Sequence, residues 1–244
     1  MKIFDVDSPL MQGLSKMADL MFVNLLALLC CIPIVTVGAS MTALHYMALK
    51  IVRNEECYIA RGFFKSFKQN LRQGTVIWLL QLLITAVLAG DFYLMYKSPD
   101  MYPFVVHVLV FVVVVIVTIT SVFVYPVLAK FDNTVFRTIK NALFISMLQF
   151  PKTLLIIFLN ILPLVAAYIA PALIPFVFLF GMSLPAYVAA LLYNKYFQKL
   201  EDRMTGNTEE DGEAEGELPA EEVSEETVSE ETVSEEVVTN SEDA

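Results

Sequence analysis

The chain is written in long apolar blocks separated by short basic ones. Gly74–Tyr96, Phe104–Ala129, Thr153–Ala170 and Ala172–Asn194 are dominated by Leu, Ile, Val, Phe and Ala, and Asp91 is the one charged residue within them. A hydrocarbon core about 30 Å thick takes roughly 20 helical residues at about 1.5 Å each, so all four blocks are long enough to cross a bilayer. None alternates with period two, which sets aside a β-barrel. Leu20–Val37 is a fifth apolar run, ending in the breakers Pro33 and Gly38. Ala39–Arg53 would be about 22 Å long as a helix. It is short for a crossing and too apolar for a loop, so it reads either as a short tilted span or as an interfacial helix. The expected fold is therefore all-α: a polytopic helical membrane protein with about six transmembrane helices, or five if 39–53 does not cross.

Charge sharpens this pattern. The net charge of −10 divides into +7 over residues 1–200 and −17 over residues 201–244. The first part is expected to be a helical membrane domain, and the second a disordered acidic tail. Within the domain the bases cluster. Lys50, Arg53, Arg61, Lys65, Lys68 and Arg72 lie between the second and third runs, and Lys130, Arg137, Lys140 and Lys152 between the fourth and fifth. Lys195, Lys199 and Arg203 follow the last. The intervening connections carry Lys97 or no base at all. Lysine and arginine in short loops mark the cytoplasmic side, which puts the C-terminus inside. Six spans place the N-terminus inside as well, in keeping with Lys2 and Lys16, and five place it outside. The first run lacks a basic n-region and an A-x-A site and reads as an internal span rather than a signal peptide.

Two of the basic segments are amphipathic. In Gly62–Gln73, Phe63, Phe64, Phe67 and Leu71 recur at helical spacing while Lys65, Lys68 and Arg72 fall elsewhere. In Asn133–Gln149, Val135, Phe136, Ile139 and Leu143 form a stripe that Arg137 and Lys140 leave, with Asp132 or Asn133 placed to cap the helix. Both read as helices at the inner headgroup boundary, basic side toward anionic lipid, or as docking surfaces for a partner helix.

Chemistry is sparse. Asn24, Gln81 and Asn160 are amides inside apolar runs, and each is either a bond between helices or part of an intramembrane polar site. Asp91 should lie near the outer interface, and seven prolines (33, 126, 151, 163, 171, 175 and 185) lie in or beside spans. Cys30, Cys31 and Cys57 form no paired framework, and His45 and His107 are isolated, so no metal site or cofactor is expected. The Walker, H-E-x-x-H and G-x-S-x-G motifs are missing, and the chain does not read as an enzyme. The composition sets aside an ordinary cytosolic enzyme, a secreted disulfide scaffold and a nucleic-acid binder. The tail repeats EETVS at 225–229 and 230–234, a period that implies no coiled coil.

Asn24–Arg53 (NLLALLCCIPIVTVGASMTALHYMALKIVR), Phe63–Leu80 and Phe131–Leu155 resemble, in order and spacing, the opening and the two cytoplasmic segments of the YesL-like family of bacterial membrane proteins. The resemblance covers about residues 10–200 and leaves out the tail. It implies a multi-span protein of the cell membrane of Firmicute-type bacteria. Such genes often accompany carbohydrate ABC importers. The implied role is a non-enzymatic accessory protein linked to carbohydrate uptake, with the bilayer and possible membrane complexes, such as an importer, as partners. A small-solute permease is the alternative. The family brings no catalytic residues, ligand or cofactor.

Overall fold

The computed structural model describes residues 9–55, 58–98, 102–131 and 133–204. The acidic segment from 205 onward lies outside the described residues, as do Cys57 and Asp132. Among the described residues eight α-helices follow in order: α1 (Pro9–Cys31), α2 (Val37–Val52), α3 (Ile59–Lys97), α4 (Phe104–Lys130), α5 (Val135–Leu148), α6 (Phe150–Ile169), α7 (Ile174–Phe180) and α8 (Ser183–Met204). Among the described residues five helices are long and apolar enough to cross a membrane, or up to six if the bent pair α7–α8 is one span.

The ambiguous segment 39–53 is largely buried. Ten of the 16 residues of α2 are buried, among them Ala39, Ala43, Leu44 and Met47. An interfacial helix keeps one face in water, whereas α2 lies inside the bundle. Its small residues let neighbours come close, the usual way helices pack in membranes. The break before it follows from Pro33, which removes a donor. Thr36 satisfies freed carbonyls there, its Oγ1 donating to Cys30 (2.7 Å) and Pro33 (2.9 Å). Ser40 Oγ donates to Ala27 of α1 (2.8 Å).

Gly38 and Gly74 bring α2 against α3. A Cβ on Gly38 would overlap the Gly74 carbonyl and come within 2.7 Å of the Trp78 Cβ, and one on Gly74 would lie 2.9 Å from the Ala39 nitrogen. α2 and α8 run parallel. Arg53 reaches Glu201, and His45 Nδ1 stands 3.5 Å from the Tyr193 hydroxyl, both pairs separated by 148 residues. An aromatic ladder joins α4 to α8: Phe123 meets Tyr193 (6.1 Å), Tyr193 meets Phe197 (4.7 Å), and Phe197 meets Phe131 (5.4 Å).

Three expectations change. The basic segment 62–73 is not a separate interfacial helix but the first part of α3, an unbroken helix of 39 residues, roughly 58 Å long. The buried side explains its continuity: Phe63, Ser66, Phe67, Asn70, Gly74 and Ile77 keep helical phase across the boundary between loop and span. The expected single span 172–194 is two helices bent by 56° between Phe180 and Ser183. The last helix also runs past the expected boundary at 200, which makes Glu201 part of α8.

Packing is uneven along the bundle. Among the described residues none between Trp78 and Thr118 is buried, so the far halves of α3 and α4 form a projecting hairpin. Its outward Leu, Val and Phe side chains suit contact with lipid tails.

Candidate functional site

The three amides do not form one site. Asn24, fully buried on α1, fastens the break between α7 and α8. Its Nδ2 donates to the Phe178 carbonyl (2.8 Å), and its Oδ1 accepts from the Met182 (3.0 Å) and Ser183 (2.9 Å) backbone N–H groups. A bend inside an apolar environment frees backbone groups that must find partners, and a single side chain from 154 residues away supplies them. Gln81 ties α3 to α4. Its Nε2 donates to Ser121 Oγ (2.5 Å) and its Oε1 accepts from the Tyr125 hydroxyl (2.8 Å). Among the described residues Asn160 bonds only within α6, to the Ile156 carbonyl (2.9 Å).

The second amphipathic segment is α5. Of the two proposed caps, Asp132 lies outside the described residues, and Asn133 precedes Thr134, which occupies the N-cap position without a capping hydrogen bond. The helix packs along the last turns of α4, where Ser146 Oγ donates to the Ile119 carbonyl (2.8 Å). The expected stripe divides. Val135, Ile139 and Leu143 are half-buried, whereas Phe136 is 77% exposed, together with Arg137, Lys140 and Met147. On α3, Phe63 is buried and Phe67 half-buried, while Phe64, Lys65, Lys68, Leu71 and Arg72 are exposed.

Sequence reasoning missed a charged cluster where α2, α4 and α8 end together. Glu201 accepts from Arg53 Nη1 (3.0 Å) and Nη2 (2.9 Å) and pairs with Lys130 Nζ (3.1 Å). Arg53 Nε also donates to Asn194 Oδ1 (2.8 Å). The available signal was positional, since Arg53 and Lys130 each directly follow an apolar run. The Arg53 side chain is only 10% exposed, so removing its counter-charge should be costly. Glu201→Gln is expected to lose about 1–3 kcal/mol, read as an earlier thermal unfolding midpoint in detergent. An unchanged midpoint would mean the three helix ends are held by packing alone.

A cavity of about 1130 Å³ opens at this same end, between the first turns of α1 and the α2–α3 connection. Gln12, Ser15, Lys16, Asp19, Asn54 and Glu55 line it. Asn54 takes the left-handed conformation (φ 54°) that asparagine tolerates, and Glu55 pairs with Lys50 (3.5 Å). Among the described residues no group of three His, Cys, Asp or Glu side chains could hold a metal ion.

Residues 20–92, from α1 through most of α3, match a family model described as "Protein of unknown function, DUF624". The matched stretch contains the α1–Asn24 clamp residue, the buried α2, the Gly38–Gly74 contact and the basic first part of α3. It does not reach α5 or the charged cluster's Lys130 and Glu201. No curated protein and no solved structure matches the chain.

Proposed function

We propose that this protein is a non-enzymatic accessory of the bacterial cell membrane that binds another membrane complex through the outer face of α5. In this reading α1, α2, α3, α4, α6 and the bent α7–α8 pair make six crossings, with the basic end and both chain ends in the cytoplasm. The carrying observation is that Phe136 and Met147 stand exposed beside Arg137 and Lys140 although α5 has an apolar side of its own packed on α4. An amphipathic helix with unfilled apolar positions suits a groove on a partner. The likeness of three sequence blocks to YesL-like proteins is what points to a carbohydrate importer as that partner.

A permease is less well supported. Broken helices serve transporters because their free backbone groups face substrate. At the α7–α8 break the Phe178 carbonyl and the Met182 and Ser183 N–H groups are already bonded to Asn24. The test is a photoreactive phenylalanine analogue at 136 or 147, irradiated in intact cells. The expected result is one protein adduct at both positions, identified as an importer subunit, and none from Phe158 on the outward side of α6. Adducts with lipid alone at 136 and 147 would remove the docking reading.

A further inference from the structure

The two basic segments look alike in sequence but are set differently in the fold, and only one of them continues into a membrane-crossing helix. On α3, Arg61, Lys65, Lys68 and Arg72 follow one another at intervals of four, three and four residues, and all are exposed. That spacing puts them on a single stripe about 17 Å long, opposite the buried Phe63, Ser66, Gly74 and Ile77. Phe64 and Leu71, both exposed, and the half-buried Trp78 form a line at intervals of seven along the stripe's flank. Beyond Arg72 the helix carries no charge until Asp91, so the stripe ends where the apolar crossing begins.

Three of the bases on this stripe have no counter-charge among the described residues. At the bundle's basic end Lys50 pairs with Glu55, and Arg53 and Lys130 share Glu201. Lys65, Lys68 and Arg72 have no ion-pair partner among the described residues, and the Arg61 guanidinium lies over the Tyr58 ring (5.5 Å). A cluster of four exposed bases directly beside a crossing helix, flanked by exposed Phe and Leu, has the chemistry that holds anionic headgroups.

We propose that the outer stripe of α3 binds the headgroup phosphates of anionic phospholipid. Arg72 and Lys68, nearest the apolar segment, contact the phosphates. Lys65 and Arg61 stand farther out and add attraction that fades over a screening length of about 10 Å. Phe64 and Leu71 supply apolar contact beside the bases. This assigns lipid to α3 and leaves α5 for a protein partner, so the two surfaces can fail independently.

Trp78 is the chain's one tryptophan, and it lies roughly 9 Å along α3 from Arg72. The full-length protein is reconstituted in phosphatidylcholine vesicles, and Trp78 emission is titrated with brominated phosphatidylglycerol or brominated phosphatidylcholine. The expected relative binding constant favours phosphatidylglycerol, by up to about fivefold for each base engaged, and the preference falls at 0.5 M salt. The triple variant K65Q/K68Q/R72Q, whose side chains are exposed, is expected to unfold at the wild-type temperature and to lose the preference. R61Q is expected to lose less of it than R72Q. Equal quenching by the two lipids in the wild type would overturn the proposal and leave the stripe to an acidic protein segment. A preference that survives in the triple variant would overturn it too.

Discussion

Gly38→Ala is expected to be the most damaging glycine-to-alanine change among the described residues. The new Cβ would overlap the Gly74 carbonyl and press on the Trp78 Cβ at 2.7 Å. Both obstacles belong to α3 and one is backbone, so no rotamer change relieves them and the helices must separate. α2 is the most enclosed helix of the bundle, which means separation loosens its contacts with α1, α4 and α8 as well. Overpacking commonly costs about 1–3 kcal/mol, and a backbone clash at a helix crossing belongs at the top of that range or above it. Thermal unfolding in detergent, followed by Trp78 emission, reads the effect beside the clash. Gly90→Ala is the control. A Cβ there meets nothing within 4 Å, so that change is expected to be neutral or slightly stabilising, by up to about 1 kcal/mol through helix propensity. Equal midpoints for the two variants would mean that the Gly38–Gly74 approach does not hold α2 in place.

Asn24→Leu is the second large effect. The substitution keeps approximate size and removes both amide groups. It leaves the Met182 and Ser183 N–H groups and the Phe178 carbonyl unbonded at the α7–α8 bend. Each unsatisfied group costs about 1–3 kcal/mol. The unfolded chain in detergent also finds partners, which lowers the sum, and a net loss of about 3 kcal/mol is expected. Asn160→Leu provides the contrast. That amide bonds only to its own helix on an exposed face, and its replacement is expected to shift stability by less than about 0.5 kcal/mol. If Asn24→Leu matched Asn160→Leu, the α7–α8 bend would be set by Pro185 and Gly181 rather than by the clamp.

These residues also mark how far the sequence carries. The apolar runs were legible because crossing a bilayer requires length and composition, both local properties. The status of 39–53 was not, because its burial depends on Gly74, distant in sequence but adjacent in the fold. The continuity of α3 was hidden by composition: a basic segment followed by an apolar one reads as loop then span, although the phase of Phe63, Phe67, Asn70, Gly74 and Ile77 runs through unchanged. Asn24 was recognised as one of two things, a bond between helices or a polar site. Its partners are backbone atoms more than 150 residues away, and backbone atoms leave no trace in side-chain patterns. Glu201 was assigned to the acidic tail by its neighbours' charge, whereas its position at the end of α8 pairs it with Arg53 and Lys130.

The same positions separate what holds the bundle from what faces outward. Asn24, Gln81, Gly38 and Glu201 are occupied in fastening helices to one another. The outward-facing chemistry lies on the basic stripe of α3 and the mixed face of α5, both at the end where α2, α4 and α8 terminate. An account in which this protein works by binding therefore depends on which side of the membrane that end faces, and on α2 crossing as a sixth span.

Cysteine accessibility measures both at once. Ser8→Cys, Ser98→Cys and Ser241→Cys are introduced singly into a chain with Cys30, Cys31 and Cys57 replaced by alanine, and intact cells are treated with a membrane-impermeant maleimide. Modification of the cysteine at 98 alone, with those at 8 and 241 reacting only after permeabilisation, is the predicted result. Modification at 8 in intact cells would leave an odd number of crossings and contradict it.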